Sequence, residues 1–288
     1  MYKITIITLL FAAIFESLII IVGNIFNIFV FWKHRHRLKL TFLLINLAVA
    51  DLLVGFTEPI ALRTYLRRRL KESSFNVDHN GEIFTTFQTS FSFASVVFLA
   101  LISLERAYAL IWPLHHRATS INKYIYGTTL AWIATICNGA LRTLAIYDMV
   151  NFSYSTIATS CVTVFCLVTV CVSYLAIQKS LKVRNPAVDT SYNQQKEAQR
   201  SAQLSRTLFI IITASLLFWF PCLVVYSTHD LCSKCVPLLF LSIINIFRLT
   251  SSLLNPVIYS YRIPMFRETC KRTKLCKKSK QYRINQVR

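Results

Sequence analysis

Charge is scarce in this chain. Only 15% of its residues are Asp, Glu, Lys or Arg, where a soluble domain carries about 25%. Glycine is scarcer still, at 5 in 288 residues, and there is no glycine-rich phosphate loop, no His-Glu-x-x-His and no pair of catalytic carboxylates. Those absences remove the common nucleotide-binding and hydrolase signatures, so the chain is not expected to be an enzyme. The histidines, His34, His36, His79, His115, His116 and His229, all fall in loops or near interfaces, which argues against a buried metal cluster. No internal repeat is visible, and no pair of interrupted helices in matching positions. Both are expected of many transporters, so an ion-conducting or transporting seven-helix protein is the weaker alternative.

What the chain has instead is apolar residues in blocks. Hydrophobic residues make up 55% of it. They neither alternate nor follow a narrow stripe but run in stretches of roughly 20 or more, the length that crosses a ~30 Å hydrocarbon core. Seven spans are expected, at about 4–32, 40–62, 83–111, 124–147, 156–179, 203–228 and 236–260. The fold class is therefore an all-α membrane protein, a seven-transmembrane-helix bundle over residues 1–261. The first block is too long for a signal peptide, whose core runs about 7–15 residues. Residues 262–288 form the remainder. A short amphipathic stretch, Arg262 to Thr269, is expected to lie on the membrane surface with Ile263 and Phe266 toward lipid, and a basic tail follows.

The net charge of +20 would suggest nucleic acid in a soluble protein. Here it sits between apolar blocks and in the tail, where it sets orientation and meets anionic lipid. With the N-terminus outside, 23 of the 32 Lys and Arg residues fall in inner segments and eight in outer ones, Arg248 lying inside a span. The expected location is the plasma membrane, multi-pass, with the N-terminus extracellular and the C-terminus cytoplasmic. Asn151-Phe152-Ser153 agrees, because it is a glycosylation sequon in an outer loop.

Ionisable residues within spans are costly and point to function. Asp51 lies inside the second block, with Asn24, Ser95, Ser252 and Asn255 as potential neighbours. A carboxylate among neutral oxygens suits either a small hard cation or a water cluster. Glu105 and Arg106 stand near the inner end of the third block, and Ser95 and Gln88 lie about three and five turns before Arg106 on the same face. That face must look into the bundle, so Arg106 reads as a latch or a docking residue, or as half of a snorkelling interfacial pair. In the sixth block Pro221 follows Phe218-Trp219-Phe220, a kink beside a bulky ring that reads as a hinge under a cavity. In the seventh, Asn255-Pro256-Val257-Ile258-Tyr259 makes a second kink. Glu58 lies seven residues outward from Asp51, and Arg248 seven outward from Asn255. At equal depth they are expected to form a buried ion pair, or an anchor for a charged ligand.

These residues, in this order, resemble the rhodopsin-like G-protein-coupled receptors. The resemblance rests on Gly23-Asn24, Asn46 through Asp51, Glu105-Arg106 followed by Pro113-Leu114, Trp132, Phe218 through Pro221, and Asn255 through Tyr259. It implies a receptor that binds an extracellular ligand in the outer half of the bundle and activates a heterotrimeric G protein inside. It implies a sodium site at Asp51, Ser95 and Asn255. Arg106 then meets the G protein, Trp219 and Pro221 act as the hinge, and Tyr174 and Tyr259 turn inward on activation. By position, Gln88, Ser92, Cys222, Tyr226 and Asn245 are expected to line the ligand pocket.

Departures from the family pattern carry their own expectations. Gly81 stands near the place of the usual helix-three cysteine, no Cys precedes Cys137, and the next is Cys161, at or inside helix five. No bridge from helix three to the second outer loop is therefore expected. Cys232 and Cys235 can close a small local disulfide instead, as an outer location permits. Cys166 replaces the helix-five proline, Ala107 the Tyr after the Arg, and Ser215 the Phe below the hinge. Ser201 stands where an acid at the foot of helix six would lock Arg106, so raised basal activity is expected. The missing cysteine and proline together point toward the melanocortin, cannabinoid and lysophospholipid branch.

Two ligand classes are disfavoured. Helix seven, from Val236 to Tyr261, has no Lys for retinal, and Gln88 stands where amine receptors carry an Asp. The basic run Arg67-Arg68-Arg69 with Lys71 is either a solvated helix extension or a steering patch for an anionic ligand, lipid or peptide. Cys270 and Cys276, beside the surface helix, are palmitoylation candidates.

Overall fold

The computed structural model describes residues 2–33, 39–70, 79–183 and 235–262, together with 209–210, 213–215, 217–226, 228, 232, 266 and 269. An apolar segment in lipid must satisfy its own backbone, and the helix does so residue by residue. The described chain accordingly forms α1 (Tyr2–Lys33), α2 (Leu40–Leu70), α3 (His79–Ile111), α4 (Pro113–Ala118), α5 (Ile121–Ile146) and α6 (Phe152–Val183). These are followed by α7 (Thr213–Tyr226) and α8 (Leu238–Arg262). Six of them, all but α4 and α7, are long and apolar enough to cross a membrane. The expected sixth span, 203–228, is described as the shorter apolar helix α7, and residues 203–208 lie outside the described residues.

Local chemistry explains the boundaries. Ser120 caps α5, its hydroxyl accepting from Asn122 N at 3.3 Å, and Pro113 opens α4, where its missing N–H is no loss. Asp148, just past α5, takes a left-handed backbone (φ 58°), which Asp tolerates better than most residues. Lys39, before α2, donates from Nζ to the carbonyls of His116 (3.1 Å), Arg117 (3.1 Å) and Thr119 (2.5 Å). It thereby caps the C-terminal end of α4, where a cation offsets the helix dipole.

The densest packing surrounds α3. Val30, Phe31, Leu43, Leu47, Phe98, Ile102 and Tyr259 form one buried cluster joining α1, α2, α3 and α8. Trp132 packs edge-on against Phe98 (5.5 Å between centroids) and donates to Asn46 Oδ1 at 3.0 Å, tying α5 to α2. Gly23 permits the close approach of α1 to α8: a Cβ there would lie 2.8 Å from Pro256.

Phe266 corrects one expectation. Its ring does not face lipid but is fully buried, edge-on to Phe31 at 5.2 Å and to Phe26 at 5.8 Å, beside Tyr259. Periodicity marks which side of a short helix is apolar, not whether lipid or protein meets it. Here α1 and α8 leave an aromatic recess that takes the ring. Ile263 lies outside the described residues.

Candidate functional site

Asp51 is fully buried at the meeting of α2, α3 and α8. Ser95 Oγ and Ser252 Oγ each donate to its Oδ1 at 2.7 Å, and Asn255 Nδ2 donates to Oδ2 at 2.7 Å. Three neutral donors thus hold one carboxylate. Asn24 does not join them. It donates to Ile20 O and accepts from Asn27, within α1. Asn255 Oδ1 and the hydroxyl of Tyr259 are buried without a hydrogen-bond partner.

Above Asp51 lies a cavity of about 330 Å³, at the small end of the ~300–1,000 Å³ typical of ligand pockets. Gln88 and Ser92 of α3, Cys222 and Tyr226 of α7, and Asn245 and Arg248 of α8 all line it, with Trp219 of α7. Arg248 donates to Ser92 Oγ and, at 2.8 Å, to Asn245 Oδ1, and its guanidinium sits 5.5 Å over the Trp219 ring. Asn245 Nδ2 donates to Glu58 Oε1 at 2.6 Å, Tyr226 donates to Asn245 Oδ1 at 3.2 Å, and Arg248 approaches Glu58 Oε2 at 3.7 Å. Glu58 and Arg248 therefore do stand at one depth. Glu58 does not line the cavity; it is completely buried beside Asn245 and Arg248.

At the other end of α3, Arg106 is bonded to its neighbour Glu105 through Nε, and through a second nitrogen at 2.6 Å. Glu105 Oε1 also meets His116 Nε2 at 2.9 Å and accepts from Tyr124 at 3.4 Å. Arg106 is buried. Tyr174 of α6 stacks on Phe209 (3.9 Å) and pairs with Gln178. Trp219 Nε1 has no hydrogen-bond partner, and Pro256 lies inside α8, which runs through it unbroken.

Four residues escaped the sequence reading. Glu16 of α1 is a fourth buried carboxylate beside Asp51, Glu58 and Glu105, accepting from Thr250 at 2.8 Å; an acid within an apolar block was a readable signal. Arg142, one of the eight Lys and Arg residues assigned to outer segments, belongs to the last turns of α5, lines the cavity and stacks on Phe152 at 5.5 Å. His116 and Tyr124 gave no sequence signal, because their role depends on how α4 and α5 fold back on α3.

Cys232 and Cys235 are joined by a disulfide. Cys137 and Cys161 are free and exposed, Cys161 within α6. Gly81 has a packing reason: a Cβ there would lie 2.1 Å from Thr64 Cγ2 of α2. Asn151 is exposed, its Oδ1 accepting from Ser153 N at 2.9 Å. The side chains of Arg67, Arg68 and Arg69, and residues Lys71, Ser201, Cys270 and Cys276, lie outside what the structure describes.

Residues 23–259 match the family model described as 7 transmembrane receptor (rhodopsin family). Among individual proteins, the chain is 25% identical to octopamine receptor beta-1R of Drosophila melanogaster, covering 90% of this chain and 60% of that one. It is 25% identical to melanopsin-B of Xenopus laevis (89% and 52%) and 23% identical to trace amine-associated receptor 2 of Homo sapiens (91% and 78%). The chain thus spans little more than half the length of the first two relatives. The similarity runs to these receptors and not to the melanocortin, cannabinoid and lysophospholipid branch. That pointer rested on two absences, and a lost cysteine or proline carries no positive mark of descent.

Proposed function

Because the chain belongs to the rhodopsin family of seven-transmembrane receptors, we propose that it is a G-protein-coupled receptor whose cavity takes an extracellular ligand and whose Arg106 end engages a heterotrimeric G protein. The observation that carries this reading is the stacking of three polar centres along α3. The cavity network at Ser92, the Asp51 cluster at Ser95 and the Glu105–Arg106 pair follow one another along a single helix. A ligand that changes the packing of Arg248 on Trp219 acts on the residue beside Pro221, where α7 lacks a backbone hydrogen bond and can bend. Signalling is then a shift between two bundle arrangements, driven by the ligand's differing affinity for each.

In this reading the N-terminus is outside and the C-terminus inside, and the membrane is the plasma membrane. The basic residues concentrated between Lys33 and Lys39 and in the tail support that orientation. Tyr174 and Tyr259 are the tyrosines that turn inward. Glycosylation at Asn151 and palmitoylation at Cys270 and Cys276 belong to the same proposal. Sodium is the one inorganic group the family resemblance implies. Asp51, Ser95, Ser252 and the unpartnered Asn255 Oδ1 offer hard oxygen donors, and these fit it. Bound there, the ion would neutralise the carboxylate.

The test is nucleotide exchange on a panel of Gα subunits, with membranes holding the wild-type protein or Arg106→Ala at matched surface expression. Acceleration by the wild type on at least one subunit, lost in Arg106→Ala, is the expected result. Equal rates in wild-type, variant and receptor-free membranes on every subunit would count against the reading.

A further inference from the structure

We propose that His116 is a positioning residue for Arg106: it shares the Glu105 carboxylate with the arginine, and a proton taken up by its ring loosens the hold on Arg106, so that acid on the cytoplasmic side raises G-protein coupling. The inference rests on the receptor reading above.

One oxygen is shared three ways. Glu105 Oε1 takes a terminal nitrogen of Arg106 at 2.6 Å, His116 Nε2 at 2.9 Å and the Tyr124 hydroxyl at 3.4 Å, while Oε2 takes Arg106 Nε. Bonded twice to a guanidinium, this carboxyl is ionised and only accepts. The ring nitrogen facing it must therefore carry a hydrogen, which fixes the neutral imidazole as its Nε2–H form. Nδ1 is then the basic nitrogen, and the hydrogen bonds of the ring run through Nε2 alone. A proton arriving at Nδ1 breaks none of them. Access favours the ring over the acid: the His116 side chain is 20% exposed and that of Glu105 5%. Histidine is also the side chain whose charge ordinarily changes between pH 5 and 8.

The surroundings decide what that proton does. Glu105, Arg106 and Tyr108 of α3 face the ring, Tyr108 edge-on at 5.9 Å, and the Tyr124 hydroxyl of α5 lies 3.1 Å from Nε2. Lys39, ahead of α2, meets the His116 carbonyl at 3.1 Å, and His115 and Arg117 flank the residue on α4. Neutral His116 gives Glu105 one hydrogen bond and no charge, and Arg106 remains the ion-pair partner of that carboxylate. An imidazolium sets a second cation on the oxygen Arg106 already uses. It takes a share of the attraction and repels the guanidinium. The sharing exists because α4 folds back on α3, so the loop that carries His116 acts on Arg106 without touching it.

The experiment measures nucleotide exchange from pH 8 to pH 6 with the full chain in nanodiscs, as wild type, His116→Gln, His116→Lys and Arg106→Ala. Each rate is divided by that of His116→Gln at the same pH, which cancels the response of the Gα subunit itself; this variant keeps an N–H for Glu105 and cannot titrate. The wild-type ratio is expected to rise toward acid by roughly twofold to fivefold, the size of one charge at a partly exposed site. His116→Lys, a fixed cation, should exceed His116→Gln throughout, and Arg106→Ala should stay at the receptor-free rate. A wild-type ratio that is flat or falls toward acid, or a His116→Lys rate at or below that of His116→Gln, overturns the proposal and leaves the receptor reading intact. If no variant accelerates exchange on any subunit, the receptor reading fails, and the shared carboxylate is read by NMR titration of the His116 imidazole. Its midpoint should move upward in Arg106→Ala, which removes the competing cation, and downward in Glu105→Gln. Midpoints that stay in place overturn the sharing as well.

Discussion

Two buried arginine–glutamate pairs stand at opposite ends of this bundle, and they are built on different principles. Arg106 and Glu105 are neighbours on one helix, bonded to each other directly. Arg248 and Glu58 come from α8 and α2, do not make a close hydrogen bond, and are joined through Asn245, with Ser92 of α3 completing the set. Ser92 lies fourteen residues before Arg106 on α3, about 21 Å at 1.5 Å per residue. Breaking the first pair separates no helices; breaking the second releases three. The cavity end is therefore the fixed one, and the Arg106 end is the one that can let go.

The strongest way to break that contrast is to remove one partner of the long-range pair. Arg248→Gln or Glu58→Gln alone leaves a buried charge unpaired and is expected to cost about 3–5 kcal/mol of stability. The double variant should recover much of the loss. Thermal melts in nanodiscs check this, and single variants that melt with the wild type would mean the pair does not hold the helices. A second test addresses packing at the same end. Gly81→Cys, which restores the residue common in the family, pushes a Cβ to 2.1 Å from the Thr64 side chain. It should destabilise by ~1–3 kcal/mol, as overpacking does; a neutral or stabilising result would show that α2 and α3 yield there.

The smallest effect expected lies between the two ends. Replacing N-methylglucamine by sodium at tenfold its dissociation constant should raise stability by about 1.4 kcal/mol through Asp51, as binding linkage requires. Asp51→Asn should abolish the rise while preserving most hydrogen bonds of the cluster. A sodium response that survives in Asp51→Asn would place the ion elsewhere or nowhere.

Much of this was readable from residue order, for a physical reason. A charged or amide side chain inside an apolar block has few ways to be satisfied, so Asp51, Glu58, Gln88 and Arg248 could be placed by depth along their helices, whereas Asn245 came only from the family resemblance. The rise per residue then put Glu58 level with Arg248. What depth cannot give is rotation and the path of connectors. Asn24 shares the depth of the Asp51 cluster but turns to its own helix. His116, Tyr124 and Lys39 act through the fold-back of α4, which no periodicity encodes. Arg142 lies within the expected span 124–147, but near its end, and depth along the helix does not say that its side chain turns to the cavity wall. Phe266 was misread because an apolar face does not announce what covers it.

If Arg106 engages the G protein as proposed, its bonds to Glu105 are a hold that must be released first. Nucleotide exchange by Glu105→Gln, wild type and Arg106→Ala, at matched surface expression, tests it directly. A neutral amide in place of the Glu105 carboxylate weakens the hold on Arg106 and on His116, so Glu105→Gln should exceed the wild-type rate and Arg106→Ala should fall to the receptor-free rate. If Glu105→Gln drops with Arg106→Ala instead, the pair is a joint contact surface and not a releasable hold, and the contrast between the two ends of the bundle fails with it.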